Sequence, residues 1–204
     1  MENTGTTEKN IVNAARSIFV EKGYDGATMR EIASAAGINI SMLHYYYRSK
    51  DNLFDIVFND VFQRLYGRAI ETIASSASVP EKVRQIVLLY TDTLAQDPRL
   101  ANFIFNEVTQ RPSRVGRFAK YKELIDRHVA VFQHQLDQEA ASGRIRAVSV
   151  MELLVNIGSL CMYPFMTFPL WQKIFGVDLQ DITRLIMDQR ETYVQNILKT
   201  IEKK

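Results

Sequence analysis

Residues 27–53, ATMREIASAAGINISMLHYYYRSKDNL, decide how this chain is read. Thr28, with Glu31 three residues later, is a capping box: the hydroxyl can accept from the Glu31 amide while the carboxylate reaches back to the Thr28 amide. A short helix over about 29–36 then stops at Gly37, and another begins near Asn39 or Ile40 and runs to about Tyr47. Two short helices separated by a tight glycine turn have the size of a helix-turn-helix. Leu43 and Tyr47 recur at i and i+4, so together with Ile38 they can pack against Ile32, Ala33 and a preceding helix. Ile40, Ser41, His44 and Tyr45 are left to share the outward face.

The surrounding chain is helical in both directions. Before the motif, a run over about 8–22 places Ile11, Ala14, Ala15, Ile18 and Phe19 on one stripe, with Gly23 set to take the left-handed C-terminal conformation. After it, Ser49 opens a run over about 50–75 in which Leu53, Ile56, Val57, Val61, Leu65, Ala69 and Ile73 keep a 3.6-residue period. That run is long enough to tie two domains into one body. Ser78 with Glu81, Asp97 before Pro98, Ser149 with Glu152, and Asp178 with Asp181 mark further helix starts, and Gly143 ends a run over about 114–142. The expected fold is all-α, about nine helices without a strand, with a three-helix helix-turn-helix domain over 1–50 and a larger helical domain over 51–204. Gly67, Gly116 and Gly158 fall inside helical runs, where each costs up to about 1 kcal/mol relative to Ala, and close helix packing is the expected reason. No fixed-period repeat points to a solenoid.

Composition agrees and removes whole classes. The chain has 204 residues, 47% of them hydrophobic and 24% charged, which is enough for a sizeable core and excludes a disordered or disulfide-stapled chain. Nine Gly and five Pro are few, as expected for long helices with few turns. Cys161 is the single cysteine and the histidines are only His44, His128 and His134, so neither a disulfide nor a zinc site is expected. The polar start MENTGTTEKN and the lack of any long apolar span imply a cytoplasmic protein with no membrane partner. A net charge of +2 gives no long-range basic field, so any affinity for nucleic acid must come from local geometry.

The segment 27–53 resembles the DNA-binding signature of the TetR family of bacterial transcription regulators. The resemblance is strong over about 8–55 and rests on the Thr28 cap, Ile32–Ala33, the Ala36–Gly37–Ile38 turn, Leu43, the aromatic run 45–47, and Ser49–Lys50 opening the next helix. By that resemblance Thr28, His44, Tyr46 and Lys50 hold the DNA backbone, and Arg30, Ile40, Ser41, Met42 and Tyr45 lie nearest the bases. The chemistry suits those roles. Ile40 and Met42 fit thymine methyls, Ser41 can donate or accept, and Tyr45 offers a ring edge and a hydroxyl. Where the family often has Ser, Gly, Tyr, His and Phe, this chain has Asn39, Ser41, His44, Tyr46 and Tyr47, so the motif persists but the base preference does not transfer.

The resemblance also implies an internal apolar pocket for a small effector and a homodimer through two C-terminal helices. Composition alone suggests Phe103, Phe118, Tyr121, Met162, Phe165 and Trp171 as ligand-binding, with Pro164 and Pro169 breaking a helix in YPFMTFPLW to line a cavity or a dimer seam. The dimer helices are expected over about 149–163, with Leu153, Leu154, Ile157 and Leu160, and about 179–202, with Leu179, Ile182, Leu185, Ile186, Tyr193, Ile197, Leu198 and Ile201. A two-fold dimer reads two half-sites of a palindromic operator. Nothing suggests an enzyme: there is no phosphate loop, nucleophile elbow or metal-spaced histidine pair, and no cofactor motif. The expected function is a DNA-binding regulator, a repressor released by a mainly apolar or aromatic ligand. The alternative is a helical ligand-binding or protein-interaction protein that does not bind DNA.

Overall fold

A computed structural model of the chain describes residues 2–110 and 119–203. Among them every regular element is helical, and there are eleven helices, two more than the spacing of caps suggested. They are α1 (Glu2–Gly26), α2 (Met29–Ala35), α3 (Ile40–Tyr46), α4, α5 (Val79–Gln96), α6 (Leu100–Gln110), α7 (Ala119–Ala141), α8 (Val150–Cys161), α9 (Tyr163–Met166), α10 (Phe168–Phe175) and α11 (Leu179–Ile201). Helix α4 begins as Lys50–Phe62, passes through a π-helical stretch at Gln63–Gly67 and ends as Arg68–Ala74. The two extra helices come from YPFMTFPLW. Pro164 and Pro169 each sit in a first turn, where the missing N–H has no partner to lose, so they start α9 and α10 instead of only interrupting a helix.

All the expected caps form except that of Asp97, whose carboxylate instead takes the Arg99 guanidinium at 3.3 Å, with α6 beginning only at Leu100. Ser49, Ser78 and Ser149 each accept from the amide three residues on, and Asp178 with Asp181 makes a second capping box beside that of Thr28 and Glu31. Gly23 does take a positive φ of 68°, but with ψ 179°, an extended left-handed state that essentially only glycine adopts. Regular helix therefore ends there, although α1 starts earlier than the apolar stripe suggested. Gly37, at φ 68°, makes the sharp turn between α2 and α3.

Close packing within this chain does not account for Gly67 or Gly158. A Cβ at Gly158 would meet nothing within 4 Å, and one at Gly67 would meet the flexible side-chain end of Gln63, on its own helix. Gly116 lies outside the described residues.

Two apolar clusters hold the molecule together. The first joins Ile11, Ala15 and Phe19 of α1, Ile32 and Ala33 of α2, Leu43 of α3 and Leu53, Phe54, Val57 and Phe58 of α4 to Phe103 and Ile104 of α6 and Phe165 of α9. The second gathers Val83, Ile86 and Val87 of α5, Phe132 and Leu136 of α7, Leu153 and Ile157 of α8, and Val194 and Ile197 of α11. Helix α4 contributes to both, with Ala69 and Ile73 in the second, so it physically connects the two clusters. The α5–α11 contact is reinforced by a two-pronged ion pair, Arg84 to Glu191 at 2.6 and 2.7 Å, and by Arg190 to Asp92 at 3.0 Å.

Candidate nucleic-acid interface and effector region

A seven-residue helix is too short to persist alone, so α3 exists because its inner side is anchored. Leu43 is fully buried and Tyr47, just past the helix, nearly so; Ile38, Ile40 and Tyr46 pack partly against the same cluster. At its N-terminus the Asn39 side chain accepts from the Met42 amide at 2.8 Å. What remains turns outward. Tyr45 is 83% exposed, Met42 is 38% exposed, and Ser41 and His44 are exposed. Ile40 departs from the expectation: it is half-buried, packed against the first core cluster. The Tyr45 and Tyr46 rings meet edge to face at 5.5 Å, which limits the directions Tyr45 can take.

The approach to α3 is built by α2 and the start of α4. Glu31 receives the Thr28 amide at 2.9 Å and the Thr28 hydroxyl at 2.8 Å, while its own amide donates to that hydroxyl at 3.2 Å. Both donors of Thr28 are therefore engaged by Glu31. Lys22 adds its ammonium to the other carboxylate oxygen at 2.7 Å, a pairing no sequence spacing announced. Hydrogen bonds from Lys22 and Thr28 hold the Glu31 carboxyl down at about 2. Arg30 is exposed in the first turn of α2. Lys50, the first residue of α4, is half-buried with its ammonium 4.3 Å from the centre of the Tyr24 ring, a cation–π contact that fixes its stem. Ser41, Met42, His44 and Tyr45 thus form the outward side of one short helix whose apolar side faces inward, and Arg30 and Lys50 open the helices that precede and follow it in the chain.

A family model described as bacterial regulatory proteins of the tetR family matches residues 11–57, and one described as tetracyclin repressor-like, C-terminal domain, matches residues 80–196. The chain belongs to the TetR family. This TetR-family chain is 23% identical over 164 residues to the probable HTH-type transcriptional regulator YttP of Bacillus subtilis, spanning 79% of this chain and 78% of that one. It is 22% identical over 176 residues to the HTH-type transcriptional repressor NicS of Pseudomonas putida, spanning 86% and 83%. Among solved structures, the ketosteroid transcriptional regulator KstR2 of Mycobacterium tuberculosis shares the fold at a TM-score of 0.67, with 19% identity over 95% of this chain and 94% of that one. FadR of Bacillus subtilis in complex with stearoyl-CoA does so at 0.60, with 22% identity over 92% and 97%. The protein is a TetR-family helix-turn-helix transcriptional regulator.

The sequence-derived effector residues are only partly gathered. Phe103 stands 5.8 and 5.7 Å from the Phe54 and Phe58 rings, and the Phe165 carbonyl accepts from Asn102 beside it on α6 at 3.0 Å; both phenylalanines are buried. Met162 is half-buried, with its sulfur 4.0 Å from the Tyr66 hydroxyl. Trp171 donates to the Thr167 hydroxyl at 2.8 Å and stacks on Phe175. Phe118 and the side chain of Tyr121 lie outside the described residues. Two clefts are open elsewhere, and Phe103, Met162, Phe165 and Trp171 line neither. A polar one of about 960 Å³ lies among Arg16, Arg64, Arg68, Gln85 and Asp92, and a smaller one of about 350 Å³ lies between α4 and α7, bounded by Phe62, Gly67, Ile70 and His128.

The helices expected to meet a partner use much of their apolar surface internally. Leu153 and Ile157 of α8, and Ile182, Ile186, Ile197 and Ile201 of α11, are buried in this chain's own core. The exposed apolar side chains nearby are instead Met151 at 71%, Val155, Tyr163, Leu185, and Leu170, Ile174 and Phe175 of α10. Alternation of buried and exposed apolar residues on one helix is legible only once its inner face is known. Among the described residues no helix is long and apolar enough to cross a membrane, and no group of three or more His, Cys, Asp or Glu side chains could hold a metal ion.

Proposed function

We propose that this protein is a cytoplasmic homodimeric repressor, without catalytic activity, that binds a palindromic operator through residues 1–50 and releases it when a small apolar or aromatic ligand binds within 51–204. The observation that carries the DNA assignment is the sidedness of α3: Leu43 anchors it while Ser41, Met42, His44 and Tyr45 face solvent. A recognition helix presents its N-terminal residues to base edges in the major groove while the preceding helix crosses the backbone. Ser41, Met42 and Tyr45, with Arg30 and Ile40 alongside, take the bases; His44, Tyr46 and Lys50 take phosphates, which set register. Thr28 joins them if a phosphate draws its hydroxyl away from Glu31. The effector group is Phe103, Phe118, Tyr121, Met162, Phe165 and Trp171, supported by the aromatic cluster of Phe54, Phe58 and Phe103 and by the acyl ligand in the FadR structure. The dimer forms through α8 and α11, over about 149–163 and 179–202, by the outward side chains Met151, Val155, Tyr163 and Leu185.

The test is selection of bound duplexes from a random pool, followed by titration of the selected duplex at several salt concentrations. Lys50→Ala weakens all sequences alike and flattens the slope of log affinity against log salt by about 0.9 for each phosphate no longer neutralised. Tyr45→Ala or Ser41→Ala instead changes base preference. Salt-independent or absent duplex binding by the wild type favours the protein-interaction alternative and overturns the assignment.

A further inference from the structure

Among the described residues Lys82 is the one buried lysine, 1% exposed, on the stripe of α5 that includes Val79, Val83, Ile86 and Tyr90. Lysine is almost never fully buried unless its charge is met. Here the ammonium donates to the Ile73 carbonyl and to Gln135 Oε1, both at 2.7 Å, and stands 4.8 Å from the centre of the Phe132 ring. Ile73 lies in the last turn of α4, whose final carbonyls no intrahelical amide can reach and where the helix dipole is negative. Gln135 closes the node: its amide nitrogen donates to the Ala77 carbonyl at 3.0 Å and lies 3.4 Å from Glu139 Oε1. The end of α4, the 75–78 connection, α5 and α7 all converge on one buried charge.

Such a node resists partial opening. Losing any one acceptor leaves a buried ammonium under-solvated, which is far costlier than losing a neutral cap at the surface. Burial already lowers the Lys82 pKa, with Glu139 opposing the shift. The other end of α4 carries Lys50, and 25 residues at 1.5 Å each put the two ends about 37 Å apart. Over that length a swing of about 5° moves the near end by about 3 Å, comparable to a hydrogen-bond distance. The π-helical stretch Gln63–Gly67 lies between the two ends, so with the far end fixed, a change there is delivered to Lys50.

We propose that Lys82 is a positioning residue: it anchors the far end of α4 and thereby sets where the DNA-reading unit stands relative to the rest of the chain. The purpose of that positioning rests on the DNA-binding assignment above, whereas the positioning itself is measured without DNA. Spin labels at the exposed positions Glu21→Cys and Lys199→Cys report the distance between the N-terminal unit and α11; Cys161, fully buried, stays unlabelled. Labelled chain is mixed with excess unlabelled chain so that pulsed EPR reads only intramolecular pairs. In Lys82→Met, which fills the same space without the charge, the distance distribution broadens about twofold while helix content is kept. Gln135→Leu, the second variant, broadens it less and serves if Lys82→Met does not fold. A folded variant that melts earlier yet keeps the wild-type distribution overturns the proposal, because Lys82 would then only stabilise. A broadened distribution in the variant, beside a wild type that binds no duplex, upholds the anchor and overturns the DNA assignment alone.

Discussion

Leu43→Ala is the most discriminating perturbation of the DNA-reading unit. Leu43 is the single fully buried side chain in the seven residues of α3, and the helix has too few turns to sustain itself. Truncating a buried leucine to alanine costs about 2–5 kcal/mol, the removed atoms plus the cavity they leave. Because one tenfold in an equilibrium constant is about 1.4 kcal/mol, the population in which α3 is detached rises by a factor of about 30 to several thousand. The α2–α3 packing is confined to the first cluster, so the effect is local: Leu43 is not part of the second cluster, to which α8 and the Val194–Ile201 end of α11 belong. Native-state hydrogen exchange followed by NMR checks this amide by amide. Protection over 40–47 falls by that factor in the variant, protection in α8 and in the Val194–Ile201 end of α11 stays at the wild-type value, and affinity for the selected duplex drops in step with the α3 amides. Unchanged protection in α3, or an equal loss across the whole chain, refutes the reasoning, since either means that α3 does not open as a unit held by Leu43.

Glu31 sets a pH limit on the same unit. Its carboxyl is held at about 2 when folded against 4.5 for the free group, so the contribution of the capping box is fully present above about 4.5 and is lost as pH falls toward 2. An NMR titration of the Glu31 carboxyl should show that low midpoint, with Thr28→Ala moving it upward; a wild-type midpoint near 4.5 contradicts the bonds assigned to Thr28 and Lys22. Cys161 is fully buried and its thiol is pushed up to about 12, so a thiol reagent at pH 8 meets about one thiolate in ten thousand and reacts at the rate of unfolding. Fast modification of the native protein would show that α8 is not packed as described. Gly158→Ala, at a helical site where nothing of this chain lies within 4 Å, stabilises by up to about 1 kcal/mol in a thermal melt. Destabilisation there would mean that a second copy packs directly on α8.

The motif was legible because its physics is local. A capping box, an asparagine cap and a glycine that must take positive φ are set by residues three or four apart, and all occur where the spacing of Thr28–Glu31, Asn39–Met42 and Gly37 places them. Even the inward turn of Leu43 and Tyr47 follows from helical periodicity. Ile40 shows the limit: helical phase put it outward, but packing against the first cluster draws it half into the core. Gly158 shows another, since a glycine in a helix has several causes and only the surrounding space excludes close packing.

Longer-range features needed the fold. The Lys82 node depends on residues from positions 73 to 139 arriving together, although the phase of Lys82 on the apolar stripe of α5 was a signal available in advance. The Lys22–Glu31 bond needs the end of α1 to fold back on α2. Likewise, periodicity could name the apolar residues of α8 and α11 but not divide them between this chain's core and a partner, because one helix can carry both faces. By itself, then, the sequence determined an all-helical chain with a helix-turn-helix near its start, for those properties reside in neighbours along the chain. Only the tertiary structure decided which side chains remain free to act and which charge holds α4 in place, because burial is a property of what packs from elsewhere.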